Sequence, residues 1–419
     1  MLTTGIIAAD VYDLAVKEEL RLASNLQNSK RAPYFVDHIK KHLEEILGAS
    51  QLYKSGLTIH TTLDFRLQQA AQDAVANGLL VLEARIQANG IQSEGPQAAL
   101  VSLDVNSGAI LAMVGGKNFD ESSYNRATTA RRQPGSAFKP IVYAYAVEHG
   151  FAQNKMILDS PIVFKGIGQD DKWRPQNFSK KFLGEISLRK ALAISQNIPA
   201  VRLMEMLGPN SVARFAHSLG IEAKLDPNLS LALGTSEVTL LDITSAYTVF
   251  PRQGKWIEPF GVTEVTDHRG RIIWRAKTQK KLVMSREGAA IITDMLQGVI
   301  QEGTGRKARF LRGPIAGKTG TTNDYRDALF IGFSPSIATG VWTGLDSGGI
   351  MGEDETGARA ALPIWIEFME AAIATRSHQY FDLPDNVVKA RINPDTGMLA
   401  RSELEIGVDA LFRMGTEPK

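Results

Sequence analysis

The sequence predicts a mixed α/β (α+β) fold: one antiparallel sheet flanked by helices, assembled from two distant parts of the chain with a helical insert between them. Three observations predict it. Ala98–Val105 and Ala109–Val114 are apolar runs on either side of Asn106-Ser107-Gly108, a hairpin signal because the glycine can take positive φ. Helical periodicity dominates the middle of the chain. Strand candidates return late, around Ile315–Thr321, Ala328–Phe333 and Ile337–Leu345, so strands from both ends must meet in one sheet.

Along the chain, Val11–Leu22 and Tyr34–Leu47 read as amphipathic helices, the second with Phe35, Ile39, Leu43 and Ile46 at helical spacing. Gly56–Leu63 alternates as a strand, and Asp64 is placed to cap a helix to about Ala88 whose Leu67, Ala70, Ala71, Val75 and Leu79 share a face. The polar interval Asn89–Gln97 suits a boundary. Residues 1–95 are therefore read as a linker region, 96–385 as the main domain and 386–419 as a C-terminal extension. Helices are expected at Ser136–His149 closed by Gly150, Ser187–Ile194, Pro199–Leu207, Asn210–Leu219 closed by Gly220, and Leu240–Phe250. Val262–Thr266 and Arg271–Arg275 frame a turn, and helices follow at Arg286–Gln301 and Ala360–Ile373.

Composition excludes several kinds of function. With 44% hydrophobic and 22% charged residues in 419, the chain can bury two or three packed units. A net charge of +2 from 47 basic and 45 acidic residues offers no field for nucleic acid. The chain has no cysteine, so disulfides, thiolate metal sites and cysteine nucleophiles are excluded. No apolar run approaches the about 18 to 20 residues of a membrane span, and Met1–Gly5 lacks the pattern of a signal peptide. The chain reads as a soluble piece whose export and anchoring segment, if it is secreted, lies upstream.

Ser136 and Lys139, in Gly135-Ser136-Ala137-Phe138-Lys139, stand at the start of a predicted helix on one face. A serine hydroxyl becomes a nucleophile when a base takes its proton, and a nearby amine can do so once burial or a neighbouring cation lowers its pKa. The helix start also offers free N–H groups to a developing oxyanion. A second element, Ser195-Gln196-Asn197, falls in a break between helices, and a third, Lys318-Thr319-Gly320-Thr321, lies on a predicted strand, where a glycine leaves room for a substrate backbone. Each alone is weak: Ser187-Leu188-Arg189-Lys190 repeats the first pattern and Ser123-Tyr124-Asn125 the second. Order and separation single out Ser136, Ser195 and Lys318, because Ser187 falls too close to Ser195 and Ser123 precedes Ser136. The bland alternatives are helix caps and solvated lysines.

The set S-x-x-K, S-x-N, K-T-G is the known signature of penicillin-binding proteins and class A β-lactamases. The chain resembles the transpeptidase part of class A, bifunctional penicillin-binding proteins. The resemblance rests on Gly56–Asp64, Gly108–Gly116, Tyr124–Ala127, Arg132–Ser136 and Gly317–Asp327, and extends from about residue 34 to about residue 400. Residues 8–30 resemble the tail that follows a glycosyltransferase domain, itself absent here together with its membrane anchor. The resemblance implies the penicillin-binding transpeptidase fold and a D,D-transpeptidase that cross-links peptidoglycan stem peptides ending in D-Ala-D-Ala. It further implies acylation and inhibition by β-lactams, an extracytoplasmic location, and no cofactor or metal. By position it implies Ser136 as nucleophile, Lys139 as base, Ser195 as proton relay held by Lys318, and Asn197 on the substrate amide and on Lys139. The backbone N–H groups of Ser136 and Thr321 would form the oxyanion hole. Thr319 and Thr321 hydroxyls, with Gly320 between them, would meet the donor carboxylate. Gln196, where β-lactamases carry aspartate, is expected to matter little because the outer two residues face the site.

Rival readings are a penicillin-sensing module, a D,D-carboxypeptidase and a slow β-lactamase, the last lacking an E-x-x-L-N water activator. A phosphate loop at Gly313–Thr319 has one residue too few between its glycines and a strand where a helix is needed. No G-x-S-x-G accompanies the seven histidines. Arg131 and Arg132 could steer an anion, or equally be a solvated pair. Trp173 and Asn177 are candidate cleft residues, and Asp324 and Tyr325 read as a turn.

Overall fold

The Asn106-Ser107-Gly108 turn joins strands Gln97–Asp104 and Ile110–Val114, with Gly108 at φ 85°. Asp104 braces it by accepting from the backbone of Asn106 and Ser107 at 3.1 and 2.8 Å. The computed structural model describes residues 1–17, 31–165, 172–374, 376, 379–400 and 407–418. This early hairpin pairs with the late strands in one five-stranded sheet, ordered Ala316–Thr321, Asp327–Phe333, Ile337–Gly344, Gln97–Asp104, Ile110–Val114. Every neighbouring pair is antiparallel. Both faces are covered, which is why these strands are almost continuously apolar.

On one face, Leu100, Phe330 and Val341 pack with Leu67, Ala71, Val75 and Leu79 of helix Phe65–Ala88 and with Trp365 and Phe368 of helix Leu362–Ala374. Trp365 also donates its indole N–H to the Thr339 carbonyl at 3.0 Å, so the ring is buried without an orphaned polar group. On the other face, Val101, Leu329 and Ile331 join the larger core with Phe138, Ile141 and Ile243. The Phe65–Ala88 helix begins as expected, Asp64 accepting from the N–H groups of Arg66 and Leu67.

Several expectations need correcting. The Val262–Thr266 and Ile272–Arg275 hairpin does not extend the main sheet: Val262–Thr266 pairs with Thr58–Thr61 in a separate three-stranded sheet. Helix Pro33–Leu47 sinks Phe35, Ile39 and Leu43 into the main core, while Ile46 stays 42% exposed. The early segment is thus built into the same body. The first helix spans Ala9–Lys17 with no buried residue, and the remainder of its expected length lies outside the described residues. The insert carries two short ribbons, Met156–Asp159 with Gly184–Ser187 and Phe164–Lys165 with Lys172–Trp173, too short to leave a periodic signal. The C-terminal extension contains a hairpin, Val387–Ile392 with Val408–Arg413, pinned to helix Arg286–Gln301 where Leu411 N–H donates to Asp294 at 3.0 Å.

Phe35→Ala should cost about 3–5 kcal/mol in urea unfolding, the range for truncating a packed core aromatic. A loss below about 1 kcal/mol would mean that the early segment is not part of this core.

Candidate active site

Ser136 lies in a one-turn 3₁₀ helix, Gly135–Phe138, that precedes helix Lys139–Glu148. The expected single helix is broken into two because Pro140 has no N–H to return to the preceding turn. Lys139 N–H donates to the Ser136 carbonyl. Close approach to the edge strand depends on two glycines. A methyl at Gly135, which sits at φ 55°, would collide with the Thr321 carbonyl, and one at Gly320 would collide with the Pro134 carbonyl and touch Ala137. The room that Gly320 creates is therefore filled by the turn bearing Ser136, not left open for a substrate chain.

The three motifs converge on one hydroxyl. Ser195 Oγ accepts from Lys318 Nζ at 2.8 Å and lies 3.3 Å from Lys139 Nζ. Lys139 also donates to the Ser195 carbonyl at 2.6 Å and to Asn197 Oδ1 at 2.7 Å. Ser195 reaches both lysines through a left-handed backbone, φ 63°, a conformation that costs a non-glycine residue about 1–3 kcal/mol. Lys139 and Lys318 are both fully buried. Burial, and then the charge of Lys318, hold the Lys139 pKa well below its ordinary range. Burial also lowers Lys318, to about 7 from 10.5. As a neutral amine Lys139 has two N–H groups, matched by its two short bonds, and a lone pair left to accept a proton.

Asn197 opens helix Asn197–Leu207, two residues earlier than expected. Its other amide end donates to the Gln176 carbonyl at 2.7 Å. Asn177 is buried rather than lining a cleft, and accepts from the N–H groups of Asn197 and Ile198 at 2.9 and 3.1 Å, capping that helix. Asn177 and Gln196 both donate to the buried Asp159, at 2.7 and 2.9 Å, so Gln196 turns away from the lysines while its neighbours face them. Sequence reasoning missed Asp159, for which no motif offers a signal. It also missed Thr304, whose hydroxyl lies 2.7 Å from that of Thr319. Thr319 lies within 3.3 Å of Lys318 Nζ, and the Thr321 hydroxyl accepts from Gly357 N–H at 3.0 Å.

The remaining candidates fall outside this cluster. Arg131 is exposed, whereas Arg132 sits 3.7 Å from Asp327 and over the Trp342 ring at 5.2 Å. Trp173 stacks on Phe164 with centroids 5.7 Å apart. Asp324 and Tyr325 form a turn with left-handed φ of 59° and 55°. The decoys prove structural. Ser187 caps helix Leu188–Ala193 and Lys190 pairs with Asp395 at 2.5 Å, while Asn125 is buried against Tyr34 and Met113.

Two buried lysines meet one serine hydroxyl close to the turn that bears Ser136, at the edge of an antiparallel sheet, an arrangement that fits a serine acyltransferase. Residues 98–345 match the family described as "Penicillin binding protein transpeptidase domain", and the chain belongs to it. It is 33% identical to Penicillin-binding protein 1A of Aquifex aeolicus over 491 aligned residues, covering 100% of this chain and 67% of that one. Its fold superposes on the crystal structure of Penicillin-Binding Protein 1A from Haemophilus influenzae with a TM-score of 0.87 at 25% identity, covering 100% of this chain and 81% of the other. The PonA1 protein from Mycobacterium tuberculosis in complex with penicillin V gives 0.72 at 26% identity, covering 87% and 97%. The chain spans only part of the relatives it matches, from 42% to 67% of their length. Among the described residues, no helix is long and apolar enough to cross a membrane.

Lys318→Met should stabilise the fold near neutrality. With a folded pKa of about 7 against 10.5, the unfolded chain holds the extra proton between those values, so the parent gains stability as pH rises through that window. The advantage of the variant should be largest below about pH 7 and shrink by up to about 1.4 kcal/mol per pH unit above it. Urea unfolding at pH 6, 8 and 10 measures this, and a gap independent of pH would contradict an amine whose pKa is lowered by burial.

Proposed function

We propose that this chain is the D,D-transpeptidase unit of a peptidoglycan synthase, with residues 96–385 as the catalytic domain and Ser136 as its nucleophile. The observation that carries the reading is the Ser195 hydroxyl held between the nitrogens of Lys318 and Lys139. Lys139, neutral because it is buried beside a second cation, takes the Ser136 proton as Oγ attacks the carbonyl between the two terminal D-alanines of a stem peptide. Backbone N–H groups of Ser136 and Thr321 receive the oxyanion. Ser195, donating onward while Lys318 donates to it, passes the proton to the leaving D-alanine amine as the peptide bond breaks and the ester remains.

Asn197 keeps one N–H for the donor's amide, and Thr319 and Thr321 meet its terminal carboxylate. A second stem peptide's amine then attacks the ester, forming the cross-link and freeing Ser136. A β-lactam enters by the same route and stays as the acyl-enzyme. Its substrate puts the reaction outside the cytoplasm, in a longer protein anchored to the membrane.

Labelling with a fluorescent penicillin should mark the peptide that contains Ser136 and should fail in Ser136→Ala. Lys139→Ala should slow labelling by about 10²–10⁴-fold, the scale of a lost general base. Label on Ser187, or label surviving in Ser136→Ala, would overturn the assignment. With stem-peptide donor and a D-amino acid acceptor, exchange marks a transpeptidase, hydrolysis alone a carboxypeptidase, and neither a sensor.

A further inference from the structure

Behind the edge strand, the Thr321 hydroxyl is not free to point anywhere. It accepts from Gly357 N–H at 3.0 Å, which occupies one lone pair. A hydroxyl has one proton to give, and with an N–H lodged on its oxygen that proton is kept off Gly357 and left for another acceptor. Gly357 reaches so close because it lacks a side chain: a methyl there would collide with the carbonyls of Leu329 and Gly320.

What holds Gly357 in place lies two residues earlier. Glu355 is completely buried and receives both arms of Arg85, Nε to Oε1 and Nη2 to Oε2, each at 2.7 Å. Arg359 Nε adds a contact at 3.5 Å. The other end of the same segment is tied where Met351 N–H donates to the Tyr325 carbonyl at 3.2 Å. Arg85 stands in the last turn of the 24-residue helix Phe65–Ala88, which packs across the sheet, so its planar fork fixes the carboxylate in both position and direction. A charge pair with its carboxylate fully buried, spanning 270 residues of sequence, is a costly way to secure a loop unless the geometry of that loop matters.

We propose that Arg85 and Glu355 are positioning residues for recognition of the donor's terminal carboxylate. By seating Gly357 against Thr321, they set that hydroxyl as a donor towards the carboxylate. The inference rests on the transpeptidase reading and deepens it. It predicts selectivity for a charged donor terminus over a capped one, because a hydroxyl with its proton free to give gains most from an anionic acceptor.

The test uses second-order acylation rates of the 419-residue chain with benzylpenicillin and with its methyl ester. Glu355→Gln should lower the acid-to-ester rate ratio by about tenfold, the scale of one hydrogen bond to a charged group. Arg85→Lys, which keeps the charge but not the fork and so folds more readily, should lower it less. In a Thr321→Val background, Glu355→Gln should leave the ratio unchanged, because the hydroxyl that carries the effect is gone. Equal slowing on acid and ester, or a full additional loss in the Thr321→Val background, would reduce the pair to general structural support and overturn the proposal. A parent that fails to react with benzylpenicillin sinks the transpeptidase reading itself. A parent that reacts, with a ratio unmoved in both variants, sinks this inference alone.

Discussion

Two lysine nitrogens buried on either side of one serine hydroxyl are the constraint around which this molecule is organised. Removing even one ammonium from water is unfavourable, and two facing the same oxygen cannot both remain charged without further cost. The fold tolerates the arrangement because Lys139 donates to the Ser195 carbonyl and the Asn197 amide oxygen, with the Ser195 hydroxyl a third polar neighbour at 3.3 Å. Burial and the neighbouring Lys318 then hold the Lys139 pKa well below its ordinary range, so neutrality is the form the site favours.

Maintaining that cluster determines much of the nearby architecture. Asp159 receives Asn177, Gln196 and the Leu183 N–H, at 2.7, 2.9 and 3.0 Å, and so fixes the break between two helices where Ser195 and Asn197 reside. The left-handed backbone of Ser195 persists because both of its flanks are tied down. Glycines at the contact between the Ser136 turn and the edge strand let two backbones meet where side chains would hold them apart. Stability has been given up locally, and the two-sided core around the sheet supplies it elsewhere.

The edge position of Ala316–Thr321 completes the logic. An unpaired strand edge is a hazard in most proteins, and here the turn bearing Ser136 packs against part of it. Its far face is shaped by residues from distant parts of the chain, with Thr304 against Thr319 and Gly357 against Thr321. The strand is therefore held by segments from several distant parts of the chain.

Local chemistry was legible in the sequence. The period of Leu67, Ala71, Val75 and Leu79, the cap at Asp64, the turn at Asn106-Ser107-Gly108 and the apolar late strands each arise from interactions within a few residues, and each stands in the structure where the pattern puts it. The order and spacing of the Ser136, Ser195 and Lys318 motifs likewise picked out stretches that the fold brings together. Other features depend on contacts that no local pattern records. Only the tertiary structure decided that Thr58–Thr61 pairs with Val262–Thr266, that Gly320 makes room for the Ser136 turn, and that Asp159 and Glu355 anchor the segments behind the site. A short strand, a missing side chain and a lone acidic residue look alike in sequence wherever they fall; what distinguishes them is the partner that folding brings from far along the chain.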